Sequence, residues 1–167
     1  MNRVKSVMLL TLLSLILMAI GGVVGGRSGA TMMLLISFGI NFYTYWNCDK
    51  MALRAYDAQP LSEEQVPELY ELVRGLCRKA EIPMPRLYVI PTDVPNAFAT
   101  GRNPDHAAVA VTEGILSMLN RDELAGVISH ELSHVKHRDT LIMTLAASIA
   151  TAISYIANMA QWAAIFG

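Results

Sequence analysis

Residues 130–134 read His-Glu-Leu-Ser-His, a spacing that can bind a metal ion. A helix turns once per about 3.6 residues, so His130 and His134 lie on one face, where two imidazoles can hold the same ion. Glu131 lies beside them, where its carboxylate can accept a proton from metal-bound water and pass it to a leaving amine. The pattern therefore predicts metal-dependent hydrolysis of an amide bond, with Zn²⁺ as the metal.

The third protein ligand that a hydrolytic zinc site needs is not evident near this motif. His137 lies about 10 Å along the helix axis from His130, too far to share its ion. Asp139 projects from a different face unless the helix breaks, and no acidic residue follows it. We expect the third ligand to come from elsewhere. A competing hypothesis is a catalytically silent membrane fragment or adaptor, because two histidines alone leave two coordination positions open.

The motif is expected to lie on a capped helix. Asn120 and Glu123 have the spacing of a capping box, which predicts a helix from Arg121 to about Arg138. The apolar side of this helix is supplied by Leu124, Val127 and Ile128. Such a setting disfavours the alternative that the motif is accidental in a purely structural membrane protein.

The residues before this helix predict an α+β arrangement. Ser62 and Gln65 form another capping-box pattern, which predicts an amphipathic helix from Ser62 to about Ala80. Thr112 can cap a brief helix through Leu119. Three short runs are typical of strands, which predicts a small sheet. These runs are Arg86–Ile90, Asn96–Gly101 and Ala107–Thr112.

Charge divides the chain into apolar ends and a polar middle. All fourteen acidic residues and ten of the thirteen basic residues lie between Asp49 and Asp139. Residues 6–26 and 28–48 carry no charge, and each run meets the roughly 20 residues that a helix needs to cross a bilayer. We therefore predict a membrane hairpin over residues 1–48 and a metallopeptidase domain over residues 49–139.

Residues 140–167 form another uncharged run, which we interpret as a third transmembrane helix, the alternative being a buried core helix. A secretory signal would also place Arg3 and Lys5 before an apolar stretch, but a second apolar run follows after only a glycine-rich hinge. Basic residues flank the outer ends of the hairpin, and only Arg27 lies at its tip. The positive-inside rule then predicts that the polar middle faces the cytoplasm.

Two other function classes receive no support from composition. The two cysteines, Cys48 and Cys77, are too few for a disulfide scaffold, so we expect both to be reduced. The net charge is −1, and no basic stripe or aromatic-plus-basic cluster appears. We therefore predict no nucleic-acid partner.

Longer motifs surround the candidate site. They are Lys50-Met51-Ala52-Leu53-Arg54, Pro95-Asn96-Ala97-Phe98-Ala99-Thr100-Gly101, and Val127 to His134 followed by Asp139. With the two apolar runs, they resemble the HtpX-type zinc metallopeptidases of bacterial inner membranes, relatives of the CAAX prenyl endopeptidases. The resemblance covers nearly all 167 residues.

This resemblance implies a truncated form of a gluzincin-like α+β domain on transmembrane helices, with one Zn²⁺ per subunit. It implies that His130 and His134 are zinc ligands, that Glu131 is the catalytic base, and that the third ligand is a glutamate beyond Gly167. It also implies a multi-pass protein of the bacterial inner membrane. The implied role is quality control and stress response, in which damaged or misfolded membrane proteins are the substrates.

A four-residue segment in the second predicted strand is a candidate for substrate binding. Its residues are Asn96, Ala97, Phe98 and Ala99. A strand or loop here could lend backbone groups to an extended peptide by β-augmentation, whereas the alternative is a structural turn. We interpret His137 as a favourable charge at a helix carboxyl end and His106 as a solvated residue. Asp139 could instead orient a metal ligand from behind.

Overall fold

The computed structural model describes residues 2–143 and residue 146. The described chain divides into two units, one containing residues 3–44 and the other containing residues 45–141. Most of the predicted third transmembrane run, residues 140–167, lies outside the described residues. Its first residues, 140–143, are helical.

The first helix, α1, spans Asn2–Ala55 and is interrupted at two glycines. Gly25 has φ −130° and ψ 19°, and Gly26 has φ 58° and ψ −144°, so neither residue is helical. The interruption falls at the predicted glycine-rich hinge. The helix continues to Ala55 instead of ending near Cys48, because no glycine or proline occurs between residues 48 and 55 to stop it.

Within residues 3–44, the segments on either side of the glycines contact each other. The Asn41 amide nitrogen Nδ2 donates to the Leu10 carbonyl oxygen at 3.2 Å and to Ser14 Oγ at 2.8 Å. A Cβ atom added at Gly21 would lie 2.4 Å from the carbonyl oxygen of Gly29, so only glycine permits this approach. Many large apolar side chains of α1 are nevertheless exposed, and by length and composition the helix could cross a membrane.

Residues 45–141 contain a small mixed sheet, the last turns of α1 and three further α-helices that lie wholly within this range. The helices are α2 (Pro67–Ala80), α3 (Glu113–Met118) and α4 (Arg121–His137). The strands are β1 (Gln59–Pro60), β2 (Arg86–Ile90), β3 (Ala97–Gly101) and β4 (Ala107–Thr112), and a 3₁₀ turn covers Pro104–His106. Their order in the sheet is β1-β2-β4-β3, with β2 and β4 parallel and the two outer pairs antiparallel. Three strands were predicted, and β1 is an additional one.

Both faces of the sheet are covered. One face packs against α2, α3 and α4. Its core includes Leu87 and Val109 from the sheet, Val73 from α2, and Ile128 and Leu132 from α4. The other face packs against the last turns of α1 through Leu53, Ile90, Ala108 and Ala110. Because β4 is buried on both faces, it fixes where its neighbours β2 and β3 lie relative to the helices.

The predicted start of α2 at Ser62 is wrong. The helix begins at Pro67, whose ring lacks an N–H and therefore suits a first helical position. The Ser62 N–H does donate to Gln65 Oε1 at 2.9 Å, but this half of a capping box closes a turn that precedes the helix. The predicted Thr112 cap is confirmed, because its Oγ1 accepts from the N–H of Ile115 at 3.2 Å.

Candidate metal-binding active site

Helix α4 is held at its start by the predicted capping box. The Asn120 side chain accepts from the N–H groups of Asp122 and Glu123 at 3.0 Å, and the Asn120 N–H donates to Glu123 Oε2 at 2.9 Å. The buried side of the helix consists of Leu124, Ile128, Leu132 and Val135. This buried stripe sets the rotation of α4 about its axis and so determines where the motif residues point.

The imidazoles of His130 and His134 converge on one point. Their Nε2 atoms are 3.2 Å apart, and their rings are nearly perpendicular. Two nitrogen ligands at about 2.0–2.1 Å from a tetrahedral zinc ion lie roughly 3.3–3.4 Å from each other. His130 is exposed and His134 is half-buried, so the point is accessible from solvent. The pair therefore fits two of the ligands of a Zn²⁺ ion.

Glu131 contacts the backbone of β3. Its Oε2 accepts a hydrogen bond from the Ala99 N–H at 3.1 Å, and the residue is half-buried. This bond fixes one carboxylate oxygen, Oε2, on the edge of β3. No local signal in the sequence indicates this contact, because it joins residues 32 positions apart.

Strand β3 lies at one edge of the sheet in the described part of the chain. The Asn96 N–H donates to Thr112 Oγ1, and the Asn96 carbonyl accepts from the Thr112 N–H, so this backbone faces β4. Along an antiparallel strand, residues whose backbone groups bond to the neighbouring strand alternate with residues whose backbone groups point away from it. In this register the backbone groups of Phe98 face β4, as those of Asn96 do, and the backbone groups of Ala97 and Ala99 point outward. Of the four predicted substrate residues, two therefore present backbone groups at the edge.

The Phe98 side chain points away from α2, α3 and α4. It belongs to the cluster on the sheet face covered by the end of α1, where its ring centroid is 5.1 Å from that of Tyr56. Ala97 and Ala99 pack on the opposite face, with α2 and α4. The small side chains therefore lie on the sheet face that packs against α4, the helix that carries the histidines.

Asp139 lies closer to His134 than a continuous helix would place it. Arg138 has φ 60° and ψ 32°, a left-handed conformation that ends α4, and the chain is helical again from residue 139. Asp139 Oδ2 then lies 3.5 Å from His134 Nδ1. The sequence analysis expected Asp139 to project from another face unless the helix broke, and the helix does break at Arg138, which brings the carboxylate to His134.

The remaining histidines have local partners. His137 Nδ1 lies 2.7 Å from the Ser133 carbonyl oxygen, and His106 Nδ1 lies 2.9 Å from Asn103 Oδ1. Across residues 2–143 and residue 146, no group of three metal-binding side chains comes together. A metal ion held by His130 and His134 would therefore need a further ligand from outside these described residues.

Comparison with known proteins gives a consistent result. A model of peptidase family M48 matches residues 63–166, which includes the motif helix. Proteins named "Protease HtpX homolog" are similar along nearly the whole chain. The relative from Desulfatibacillum aliphaticivorans is 54% identical over 166 residues, which are 99% of this chain and 54% of that protein. The relative from Pelotomaculum thermopropionicum is 54% identical over 167 residues, which are 100% of this chain and 59% of that protein.

A third relative, from Burkholderia multivorans, is 53% identical over 161 residues, which are 96% of this chain and 56% of that protein. The chain thus spans little more than half the length of these relatives. Each relative therefore has sequence beyond the part that is matched here.

Proposed function

Because the chain belongs to peptidase family M48 as an HtpX-type member, we propose that the protein is a zinc-dependent endopeptidase of the bacterial inner membrane. Its proposed substrates are damaged or misfolded membrane proteins. The observation that carries the proposal is the convergence of His130 and His134 on α4, together with the contact of Glu131, from the same motif, with the edge strand β3.

His130 and His134 would hold the zinc ion through their Nε2 atoms. The 3.2 Å separation of these atoms supports this assignment, as does the preference of Zn²⁺ for imidazole. The third ligand is proposed to be a glutamate from the region that the longer relatives carry beyond this chain. When bound, the ion supplies a Lewis acid that polarises the scissile carbonyl and makes water acidic enough to be deprotonated near neutral pH.

Glu131 is the proposed general base. Its Oε2 is held by the Ala99 N–H, so Oε1 is the atom that takes the proton from the attacking water. The same carboxylic acid then gives the proton to the nitrogen of the leaving amine, which breaks the peptide bond. Held by both α4 and β3, the carboxylate does not need to be reoriented between these two transfers.

The edge of β3 is the proposed binding site for an extended substrate strand. Ala97 turns its N–H and carbonyl outward, and Ala99 turns its carbonyl outward while its N–H is engaged by Glu131. A peptide that pairs with these groups by β-augmentation would pass beside the carboxylate. Asn96 and Phe98 would act indirectly, since their backbones hold β3 against β4.

Residues 1–48 are proposed to form a transmembrane hairpin. The exposed apolar surface of α1, the break at Gly25 and Gly26, and the contact of Asn41 with Leu10 support this arrangement. Basic residues at both outer ends of the hairpin favour a catalytic domain in the cytoplasm. Residues 140–167 are proposed to form a further transmembrane helix.

The experiment that tests the proposal uses the long form, which we define as the protein at the full length of its relatives, of which this chain covers 54% and 59% in the two cases above. The purified long form is incubated with zinc and an unfolded test protein, beside the Glu131→Gln and Glu64→Gln variants. We expect Glu131→Gln to lower the cleavage rate by about 10²–10⁴-fold, because the general base is lost. Glu64 is exposed in a turn, so its variant should cleave normally. Equal cleavage by all three proteins would contradict the proposal.

A further inference from the structure

His134 has a different partner on each ring nitrogen. Its Nε2 faces His130 Nε2 at 3.2 Å, and its Nδ1 faces Asp139 Oδ2 at 3.5 Å. We propose that Asp139 is a positioning residue that holds the Nδ1–H of His134 and so presents the Nε2 lone pair to the metal. The inference rests on the metal site of the proposed function and adds a residue that supports that site from behind.

The end of α4 explains how Asp139 reaches this position. In a continuous helix, residues five apart differ by roughly 140° in direction, so Asp139 would point away from His134. Arg138 adopts the left-handed conformation, and its N–H bonds to the carbonyl oxygens of His134 and Val135. This non-glycine residue at φ 60° is uncommon, and it redirects the chain so that the next side chain returns to the imidazole.

The residue after Asp139 is anchored as well. Thr140 is buried, and its Oγ1 donates to the Gly101 carbonyl oxygen at 2.9 Å. Gly101 ends β3 with φ 134°, and a Cβ atom there would lie 2.3 Å from the His106 carbonyl oxygen, so this end of the strand is tightly defined. Asp139 therefore lies between two fixed points, the Arg138 turn and the Thr140 anchor.

The chemistry of the pair favours a positioning role. A carboxylate that accepts from one imidazole nitrogen fixes the tautomer, orients the ring and makes the other nitrogen a better metal ligand. The side chains of His134 and Asp139 are 31% and 37% exposed, so water only partly screens their interaction. A separation of 3.5 Å is at the outer limit of a hydrogen bond, and we expect it to shorten when the ring is drawn onto a metal.

The same anchors link Asp139 to β3, the proposed substrate strand. Ala99 contacts Glu131, and two residues later Gly101 accepts from Thr140. The strand therefore supports the general base at one point and the segment that carries Asp139 at another. The positioning residue and the general base are thus held by the same five-residue strand.

The test measures zinc affinity of the long form by competition with a chelator. We expect Asp139→Ala to weaken zinc binding by about 10–100-fold, which is the usual effect of removing a residue that supports a metal ligand. Asp139→Glu should restore part of the affinity, because it keeps the carboxylate. The control is Glu64→Ala, which removes an exposed carboxylate in the turn before α2 and should leave affinity unchanged. A less than twofold change in Asp139→Ala would overturn the proposal.

A second measurement does not depend on the metal or on the stability of a variant. The ¹⁵N chemical shifts of His134 in the metal-free wild-type protein at about pH 8, where an ordinary imidazole is neutral, report which nitrogen carries the proton. The proposal requires the Nδ1–H tautomer, and a predominant Nε2–H tautomer would overturn it. If the wild-type long form bound no zinc, the proposed function would fail, while this measurement would still decide the role of Asp139.

Discussion

Helix α4 and residues 4–44 of α1 bury opposite kinds of side chain. In α4, the apolar residues Ile128 and Leu132 are buried and the histidines lie towards solvent. In α1, Ser37 and Thr44 are buried, whereas Leu35 and Phe42 are about two-thirds exposed, at 67% and 68%. Apart from the break at Gly25 and Gly26, both segments are helical, so helix formation itself does not set which face is buried.

The difference indicates which solvent each helix meets. Exposed apolar surface is unfavourable in water, so the pattern of α4 suits an aqueous domain. In a bilayer, lipid tails solvate leucine and phenylalanine, and helices associate through small and polar residues instead. Gly21, Gly29, Ser14 and Asn41 provide such an interface in α1. The comparison therefore supports the proposal that residues 1–48 lie in a membrane and that α4 does not.

The largest expected effect comes from shortening a buried apolar side chain of α4. Ile128→Ala should lower the free energy of unfolding of the catalytic domain by about 2–5 kcal/mol, because Ile128 is fully buried and its loss leaves a cavity. Denaturant unfolding of the protein in detergent micelles, followed by circular dichroism, would measure this.

The matched control for that prediction is Leu35→Ala in α1. Leu35 is exposed to the proposed lipid phase, so its shortening leaves no cavity and should change stability by less than about 0.5 kcal/mol. Equal losses in the two variants would break the comparison, since they would indicate that Leu35 is buried in the native protein.

A smaller effect is expected at the start of α4. Asn120→Ala removes the acceptor for two backbone N–H groups and should lower the free energy of unfolding by about 1 kcal/mol. Asn120→Asp keeps an acceptor of the same length and serves as the control. The same denaturant titration would measure both. A full loss in Asn120→Asp would show that the effect does not come from capping.

The smallest effect is expected inside the α1 unit. Asn41→Leu removes hydrogen bonds to Leu10 and Ser14, which should lower stability by about 0.6 kcal/mol, a typical value for such bonds between membrane helices. The loss is limited because Asn41 Oδ1 is buried and has no hydrogen-bond partner among the residues that the structure describes, and the substitution relieves this cost.

Titration with sodium dodecyl sulfate in mixed micelles would measure this effect. Thr11→Val is the control, since Thr11 Oγ1 bonds only within its own helical turn, to the Val7 carbonyl oxygen. A loss of stability above about 2 kcal/mol in Asn41→Leu would indicate that α1 is held together mainly by polar contacts, which would sharpen the contrast with α4.

The features that the sequence predicts well are those set by neighbouring residues. The capping box of Asn120 and Glu123, the Thr112 cap and the break at Gly25 and Gly26 all depend on side chains within a few positions. The spacing of His130 and His134 also follows from helix geometry alone. These elements agree with the structure within a few residues.

The features that the sequence does not predict depend on distant contacts. Strand β1 has two residues, and it forms because Gln59 and Pro60 pair with Val89 and Tyr88 of β2. The contact between Ala99 and Glu131 requires β3 and α4 to be packed together. The return of Asp139 depends on a left-handed arginine, where local preference would have favoured glycine or asparagine.

The most direct test of the account is the zinc content of the purified long form, measured by elemental analysis beside the His134→Ala and His137→Ala variants. His137 lies on the same helix but bonds to Ser133, so its variant controls for the loss of an imidazole. The account predicts one zinc per subunit in the wild type and in His137→Ala, and almost none in His134→Ala. A wild type without zinc, or stoichiometric zinc in His134→Ala, would contradict it.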